Sequence, residues 1–391
     1  MIYNILEIAD LHWGAMEYKL QYAQYEYIFS IIKERKGQLD LIVLLGDFWD
    51  TRVTLNSATG KGGLNWMEEL CTLAVECDVK AIRIIKGTKE HDNSQIESFY
   101  RLEKRYPFKV FITNTYEETL PGLHAIYCPE ESMPHDEYIE KYKENIAHEF
   151  NIGFFHGNFD VIMPQIAIDH AKMEGKLIYE YQYWDYKIDG PMLAGHWHNG
   201  ETYGKLSYIG TPDRWDFTEY ANESLPGVGL LSYDITNRAY FYKRIINPDY
   251  QLYKNFIIDT ESYDNLDKYQ SLIEYIDEYK EELKRSGHRF HFKVRIDITD
   301  SKVENEQFIN FLRDHYISHS WIKIDTKNKM QKKKKMELKE KKEQNDQLFG
   351  FIKSDGLTEA QKIQNFIKIK RDEIVPIEVI MEILDKIKKK E

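Results

Sequence analysis

Five short apolar runs in this chain are each followed at once by a loop that carries histidine or aspartate. The runs Ile2 to Ile8, Leu41 to Leu45, Lys80 to Ile85, Ile152 to Phe155 and Pro191 to Leu193 lead into IADLHWG, LLGDFWD, IIKGTKEHDN, GFFHGN and LAGHWHNG. Taken singly, an aspartate at a strand end is usually a helix cap and a histidine is usually a core or surface residue. Repeated at the carboxyl ends of successive strands, they fall where open α/β sheets build their sites. In an extended strand, residues i and i+2 point to one side, so Asp10 with His12, and His196 with His198, can converge on one small volume. That suits a metal ion.

The rest of the chain fits an α/β layered fold. Further strands are expected at Lys109 to Thr113 and His124 to Cys128, with helices at Leu20 to Arg35 and Asn65 to Cys77. Leu206 to Ile209 and Val228 to Arg244 read as antiparallel strands, the latter with a turn at Asp234 to Asn237. Ser57 to Gly63, SATGKGG, lacks the preceding strand and the spacing of a phosphate loop and reads as a mobile loop beside the site. Asp249 to Ser286 reads as a mostly helical linker. RFHFKVRIDI then alternates Phe290, Phe292, Val294, Ile296 and Ile298 with polar residues, a strand with one buried face. A helix at Glu304 to Asp314 and a strand at Trp321 to Asp325 complete a small β-α-β module. Lys293 and Arg295 lie on its polar face, where they either meet phosphates or are simply solvated. A charge run at Lys327 to Lys342 follows as a tether, and a tail with two apolar helical stripes ends the chain. The expected domains are 1–245, 246–326, 327–358 and 359–391.

An apolar fraction of 42% excludes a disordered chain. Cys71, Cys77 and Cys128 have no C-x-x-C spacing, and an odd count argues against a disulfide framework. With no signal-peptide pattern at the N-terminus and no apolar run of bilayer length, a cytoplasmic protein without a membrane partner is expected. A net charge of -12 argues against tight unaided binding to nucleic acid, although bound cations, local basic patches or a partner can reverse it.

The order D-x-H, G-D-x-x-D, a histidine-containing loop, G-x-x-H-G and G-H-x-H resembles that of the calcineurin-like metallophosphoesterases. GDFWDTR, with Trp49 where phenylalanine is usual, and SYIGTPDRW after GHWHNG are similar to the SbcD-like DNA repair exonucleases and their T-even phage relatives. The resemblance covers about residues 1 to 245. It implies a four-layer αββα sandwich with a small α+β capping module and a C-terminal helical tail. It also implies a homodimer that acts on DNA and docks its tail on an SMC-like (SbcC-type) ATPase. Carried over by position, Asp10, His12 and His198 would hold one divalent cation, His156 and His196 a second, and Asp47 would bridge them. Manganese is the first choice, and mixed His/Asp sites also take iron, zinc or cobalt.

The third loop departs from the family pattern, which has G-N-H followed by an acid, the asparagine ligating the second metal. Here Gly87 is followed by Thr88, Lys89, Glu90, His91 and Asp92, so two residues are inserted and the asparagine is missing. The resemblance assigns His91 the acid or transition-state role and Asp92 an orienting role. Thr88, Glu90, Asn93 or a water is left to fill the missing ligand's place, and Lys89 could instead meet a substrate phosphate. The expected activity is a metal-dependent DNA exonuclease, also able to cut single strands internally, in repair, recombination or replication. A small-molecule or protein phosphoesterase on the same fold, or a catalytically weakened scaffold subunit, are the alternatives.

Overall fold

The computed structural model describes residues 1–214, 224–259, 266–286, 290–298, 303–316, 318–319 and 322–328. In chain order its strands are β1 (Ile2–Ile8), β2 (Leu41–Leu45), β3 (Ala81–Ile85), β4 (Phe108–Phe111), β5 (Thr115–Leu120), β6 (Leu123–Cys128), β7 (Ile152–His156), β8 (Asn158–Phe159) and β9 (Ile178–Tyr179). They continue with β10 (Met192–Gly195), β11 (Glu201–Tyr203), β12 (Leu206–Tyr208), β13 (Gly227–Asp234), β14 (Ala239–Ile246), β15 (Leu252–Asp259), β16 (Phe290–Ile298) and β17 (Ile322–Asn328). The helices are α1 (Tyr18–Glu34), α2 (Ala58–Glu76), α3 (His135–Lys141), α4 (Lys143–Ile146), α5 (Gln165–Met173), α6 (Tyr181–Lys187), α7 (Leu266–Ser286) and α8 (Val303–Tyr316), with a 3-10 helix at Asn93–Leu102. The fold is α/β.

Two six-stranded mixed sheets dominate. The first runs β14-β13-β1-β2-β3-β4, parallel from β1 to β4 and antiparallel at β13 and β14. The second runs β11-β12-β10-β7-β6-β5, parallel from β12 to β6 with an antiparallel strand at each edge. Strands buried on both faces read as continuous apolar runs, and all five residues of β2 are buried. Side chains alternate between faces, so Ile5, Leu41 and Val43 share one apolar cluster with Ala125, Ile152, Phe154 and Leu193 of the second sheet. The opposite face of the first sheet packs on α1 and α2 through Tyr25, Ile28, Ile32, Trp66 and Leu70. The opposite face of the second packs on α3 and α6 through Tyr138 and Trp184. Glu117 of β5 bridges the sheets: its Oε2 accepts from Arg83 Nε of β3 at 2.6 Å, and its Oε1 accepts from Lys109 Nζ of β4.

Several elements differ from expectation. The glycine-rich stretch at 57–63 is no mobile loop: Ser57 caps α2 by accepting from the Gly60 amide at 3.0 Å, and Gly60, Gly62 and Gly63 are buried in the first turns. A Cβ on Gly63 would come within 2.7 Å of the Trp49 ring, so glycine's weak helix propensity is overridden by close packing. The expected linker contains a strand, β15, which joins β16 and β17 in a three-stranded sheet of that order. In β16, Phe292 and Val294 are fully buried, as the alternation predicts. The chain divides into two compact units, 1–256 with 274–293 and 320–323, and 257–273 with 294–319 and 324–391. Beyond Asn328, the charged tether and the helical tail lie outside the described residues. Among the described residues no helix is long and apolar enough to cross a membrane.

Candidate metal centre

The loops after β1 and β2 continue the parallel pairing of their strands past the sheet edge. The amides of Asp10, His12 and Trp13 donate to the carbonyls of Gly46, Asp47 and Phe48 at 3.2, 3.0 and 2.6 Å. This zipper sets His12 beside Asp47. Gln21 of α1 holds the first loop from the other side, donating to the His12 carbonyl at 2.8 Å and accepting from the Gly14 amide at 2.8 Å. Asp10, His12 and Asp47 have φ of 51°, 44° and 47°, left-handed values that non-glycine residues adopt rarely and that recur at functional sites.

From the second sheet come His156 at the end of β7 and His196 and His198 after β10. The His196 amide donates to both carboxylate oxygens of Asp10, at 2.9 and 3.0 Å, which ties the loop after β10 to the one after β1. His12 Nε2 and His198 Nε2 then lie 3.0 Å apart. His156 Nε2 lies 3.2 Å from Asp47 Oδ2. Among the described residues, Asp10, His12 and His198 form one set with metal-ligating spacing; Asp47, His156 and His196 form another. Asp47 also groups with His12 and His91, so it adjoins both sets. The structure therefore brings the six residues together, in the groups Asp10, His12 and His198, and Asp47, His156 and His196.

Three of the four imidazoles, those of His156, His12 and His196, have an oxygen at their outer nitrogen. The His156 ring meets the Leu45 carbonyl through Nδ1 at 2.6 Å, His12 Nδ1 faces the Asp50 carboxylate at 3.3 Å, and His196 Nδ1 faces Glu130 at 3.6 Å. Such partners fix the tautomer and turn the Nε2 lone pair inward, as metal-bound histidines require. The sequence reading missed Leu45, Glu130 and Gln21. Glu130 follows β6 by the same strand-end rule that marked the others, but a backbone carbonyl leaves no trace in side-chain patterns.

The third loop resolves differently from the expectation for Asp92. Its carboxylate is fully buried and accepts from the backbone amides of Trp49, at 3.0 Å, and Gly87, at 2.7 Å, clamping two loops together. The orienting contact to the His91 ring comes instead from the Asp50 carbonyl, which meets Nδ1. Thr88 is buried and gives both its amide, at 2.6 Å, and its hydroxyl, at 2.9 Å, to Asp47 Oδ1. Lys89, Glu90 and Asn93 are exposed.

The electrostatics are those of a site with dense negative charge. Burial pushes the Asp10 carboxyl above its ordinary range, against the pull of His156 and His198. Burial also opposes ionisation of Asp47, yet His156, His12 and His91 hold it well below the usual carboxylate range. Burial and the Asp47 charge push Asp92 up to about 7. Burial works against a charged His156, but Asp47 and Asp10 raise it to about 10, whereas burial and the His156 charge press His196 down to about 3. The raised His156 shows that the buried carboxylates favour a positive charge beside them. Neutral imidazoles with buried carboxylates form a donor set that fits divalent transition metals.

No protein-family model matches the chain, and no curated protein matches it. The geometry of the centre thus stands on its own.

Proposed function

We propose that this chain is a metal-dependent DNA exonuclease, also able to cut single strands internally, built on the four-layer αββα sandwich of the calcineurin-like metallophosphoesterases. The observation that carries the reading is the convergence of Asp10, His12, Asp47, His156, His196 and His198, from the ends of four strands, into two adjacent candidate ligand sets that meet at Asp47. Helices flanking two sheets that share one core are what such a sandwich needs.

Two divalent ions, manganese foremost, would be held by these residues and would orient a phosphodiester, activate a water and stabilise developing charge. The chain's own groups do the positioning. His91, oriented through Nδ1 by the Asp50 carbonyl, offers Nε2 to a leaving oxygen or a phosphoryl oxygen. Asp92 fixes the backbone that carries it. Thr88 holds Asp47 in one rotamer by two hydrogen bonds. In this reading the enzyme is the cytoplasmic nuclease subunit of an SMC-like ATPase complex in DNA repair, recombination or replication. It would act as a homodimer, with segment 359–391 docking the ATPase.

The test is degradation of end-labelled linear duplex DNA in manganese by the wild type, Asp47→Ala and His91→Ala, with and without the ATPase. Shortening by the wild type that both substitutions stop supports the proposal. Hydrolysis of a phosphomonoester with no cleavage of DNA would move the function to a small-molecule phosphoesterase. Binding to the ATPase without any hydrolysis would make the chain a scaffold subunit.

A further inference from the structure

The centre contains a third close pair that the two-cation reading has not used. The side-chain amide of Asn158 lies 2.9 Å from His196 Nε2. The other two pairs, His12 Nε2 with His198 Nε2 at 3.0 Å and His156 Nε2 with Asp47 Oδ2 at 3.2 Å, join residues assigned to the same ion or to its bridge. Two donors at right angles on one ion, each about 2.1 Å from it, are about 3 Å apart. The Asn158–His196 pair has that spacing.

A carboxamide keeps its shape when turned over about its last bond, so Asn158 can present Oδ1 where Nδ2 stands. An amide oxygen is a neutral, hard ligand suited to manganese or magnesium. The backbone that carries it is pinned: the Tyr208 hydroxyl donates to the Gly157 carbonyl at 2.9 Å and accepts from the Phe159 amide at 2.9 Å. Glu130, facing His196 Nδ1, turns the ring's Nε2 toward Asn158. The third loop supplies no rival amide, because Asn93 is exposed and its Oδ1 accepts from the Ser94 amide. Thr88 sits close to the centre, but its hydroxyl is directed at Asp47.

Building on the two-cation reading, we propose that Asn158 supplies the amide oxygen of the second cation cluster, replacing the asparagine missing after Gly87. The ligand has moved from the end of β3, in the first sheet, to the segment after β7, in the second. His156 and Asn158 then act as a pair across Gly157, whose φ of 132° turns the chain there.

The test is manganese stoichiometry of the full chain, by equilibrium dialysis against graded manganese and elemental analysis, for the wild type, Asn158→Ala, Asn158→Asp and Asn93→Ala. Two ions are expected on the wild type, on Asn158→Asp, which keeps an oxygen ligand, and on Asn93→Ala, which removes the exposed amide of the third loop. Asn158→Ala should keep the first ion and bind the second at least about tenfold more weakly. Wild-type affinity for both ions in Asn158→Ala would overturn the assignment, as would loss of both together or loss of the second ion in Asn93→Ala. A wild type that binds no manganese would overturn the two-cation reading itself.

Discussion

The two sheets bring different chemistry to one centre. The first contributes Asp10 and Asp47, both carboxylates of the ligand set, together with His12 and the His91 loop. The second contributes three imidazoles, at 156, 196 and 198, and the Asn158 amide. The backbone differs as well. On the first sheet, Asp10, His12 and Asp47 take left-handed φ, whereas on the second His196 does so and Gly157 takes the reversal after His156. On the two-cation proposal, neither sheet would hold a complete set for either ion. The first set needs His198 from the second sheet, and the second needs Asp47 from the first. The difference teaches that the centre is a property of the interface between the sheets, so disturbing that interface should disturb metal binding.

The largest effect is expected where the two contributions meet. Asp47→Ala removes a carboxylate that reaches His156 across the interface and leaves Thr88 without its acceptor. Loss of several kcal/mol of charge stabilisation predicts a fall in manganese-dependent DNA hydrolysis of at least about a thousandfold. The companion measurement is metal content, which should drop below two ions per chain; unchanged content would show that the sheets' contributions are separable.

Next is the ion pair between the sheets, remote from the centre. Glu117→Gln leaves Arg83, buried to 6% exposure, without its counter-charge and should cost about 3 kcal/mol in denaturant unfolding. Although burial opposes its ionisation, Arg83 and Lys109 hold the Glu117 carboxyl below the usual range. Its stabilisation is therefore complete above the unfolded glutamate value of about 4.3 and is lost as pH falls through that value toward the lower folded one. The wild type should converge on Glu117→Gln in that acid window and exceed it at neutral pH.

Gly46→Ala probes a close approach of the sheets with the candidate ligands left in place. Gly46 has φ of +81°, and a Cβ there would meet His156 Nδ1 at 2.3 Å. Strain and the clash predict a loss of about 2 kcal/mol, with weaker manganese binding, read by thermal unfolding and dialysis. Unaltered metal affinity would mean that His156 shifts freely, against the fixed tautomer inferred from Leu45.

The smallest effect should come from Glu7, whose carboxylate oxygens meet no hydrogen-bond partner among the described residues. Burial pushes its pKa well above the ordinary value. The folded state then holds this proton more tightly than the unfolded chain, so stability declines as pH rises above the unfolded value. Glu7→Gln should flatten that decline, raising the thermal midpoint at pH 8 more than at pH 5. An equal shift at both pH values would argue against it.

Much of this could be read from the residues. The central strands were legible because a strand buried on both faces has no choice but to be apolar, and the Asp/His cluster because its members stand at strand ends, although the left-handed φ of Asp10, His12 and His196 departs from the extended i, i+2 geometry that the pattern assumes. Among the elements left unread were β5, β8, β9, β11, β15, the 3-10 helix, the short helices α3 to α6 and the start of α2. Their local signals are weak or, in the glycines of α2, point the wrong way until Trp13 and Trp49 pack against them. Within the centre, Asp92 reads as an orienting acid for the histidine before it, yet it clamps Trp49 and Gly87, because its partners are backbone amides brought in from distant loops.

Sequence alone determined which side chains stand at the strand ends, and hence that aspartate and histidine could gather on a metal. Only the tertiary structure decided which ring nitrogens of His12, His156 and His196 face an outer oxygen and that Asn158 lies beside His196. Those choices depend on carbonyls, amides and carboxylates from segments far apart in the chain, whose positions no local pattern specifies.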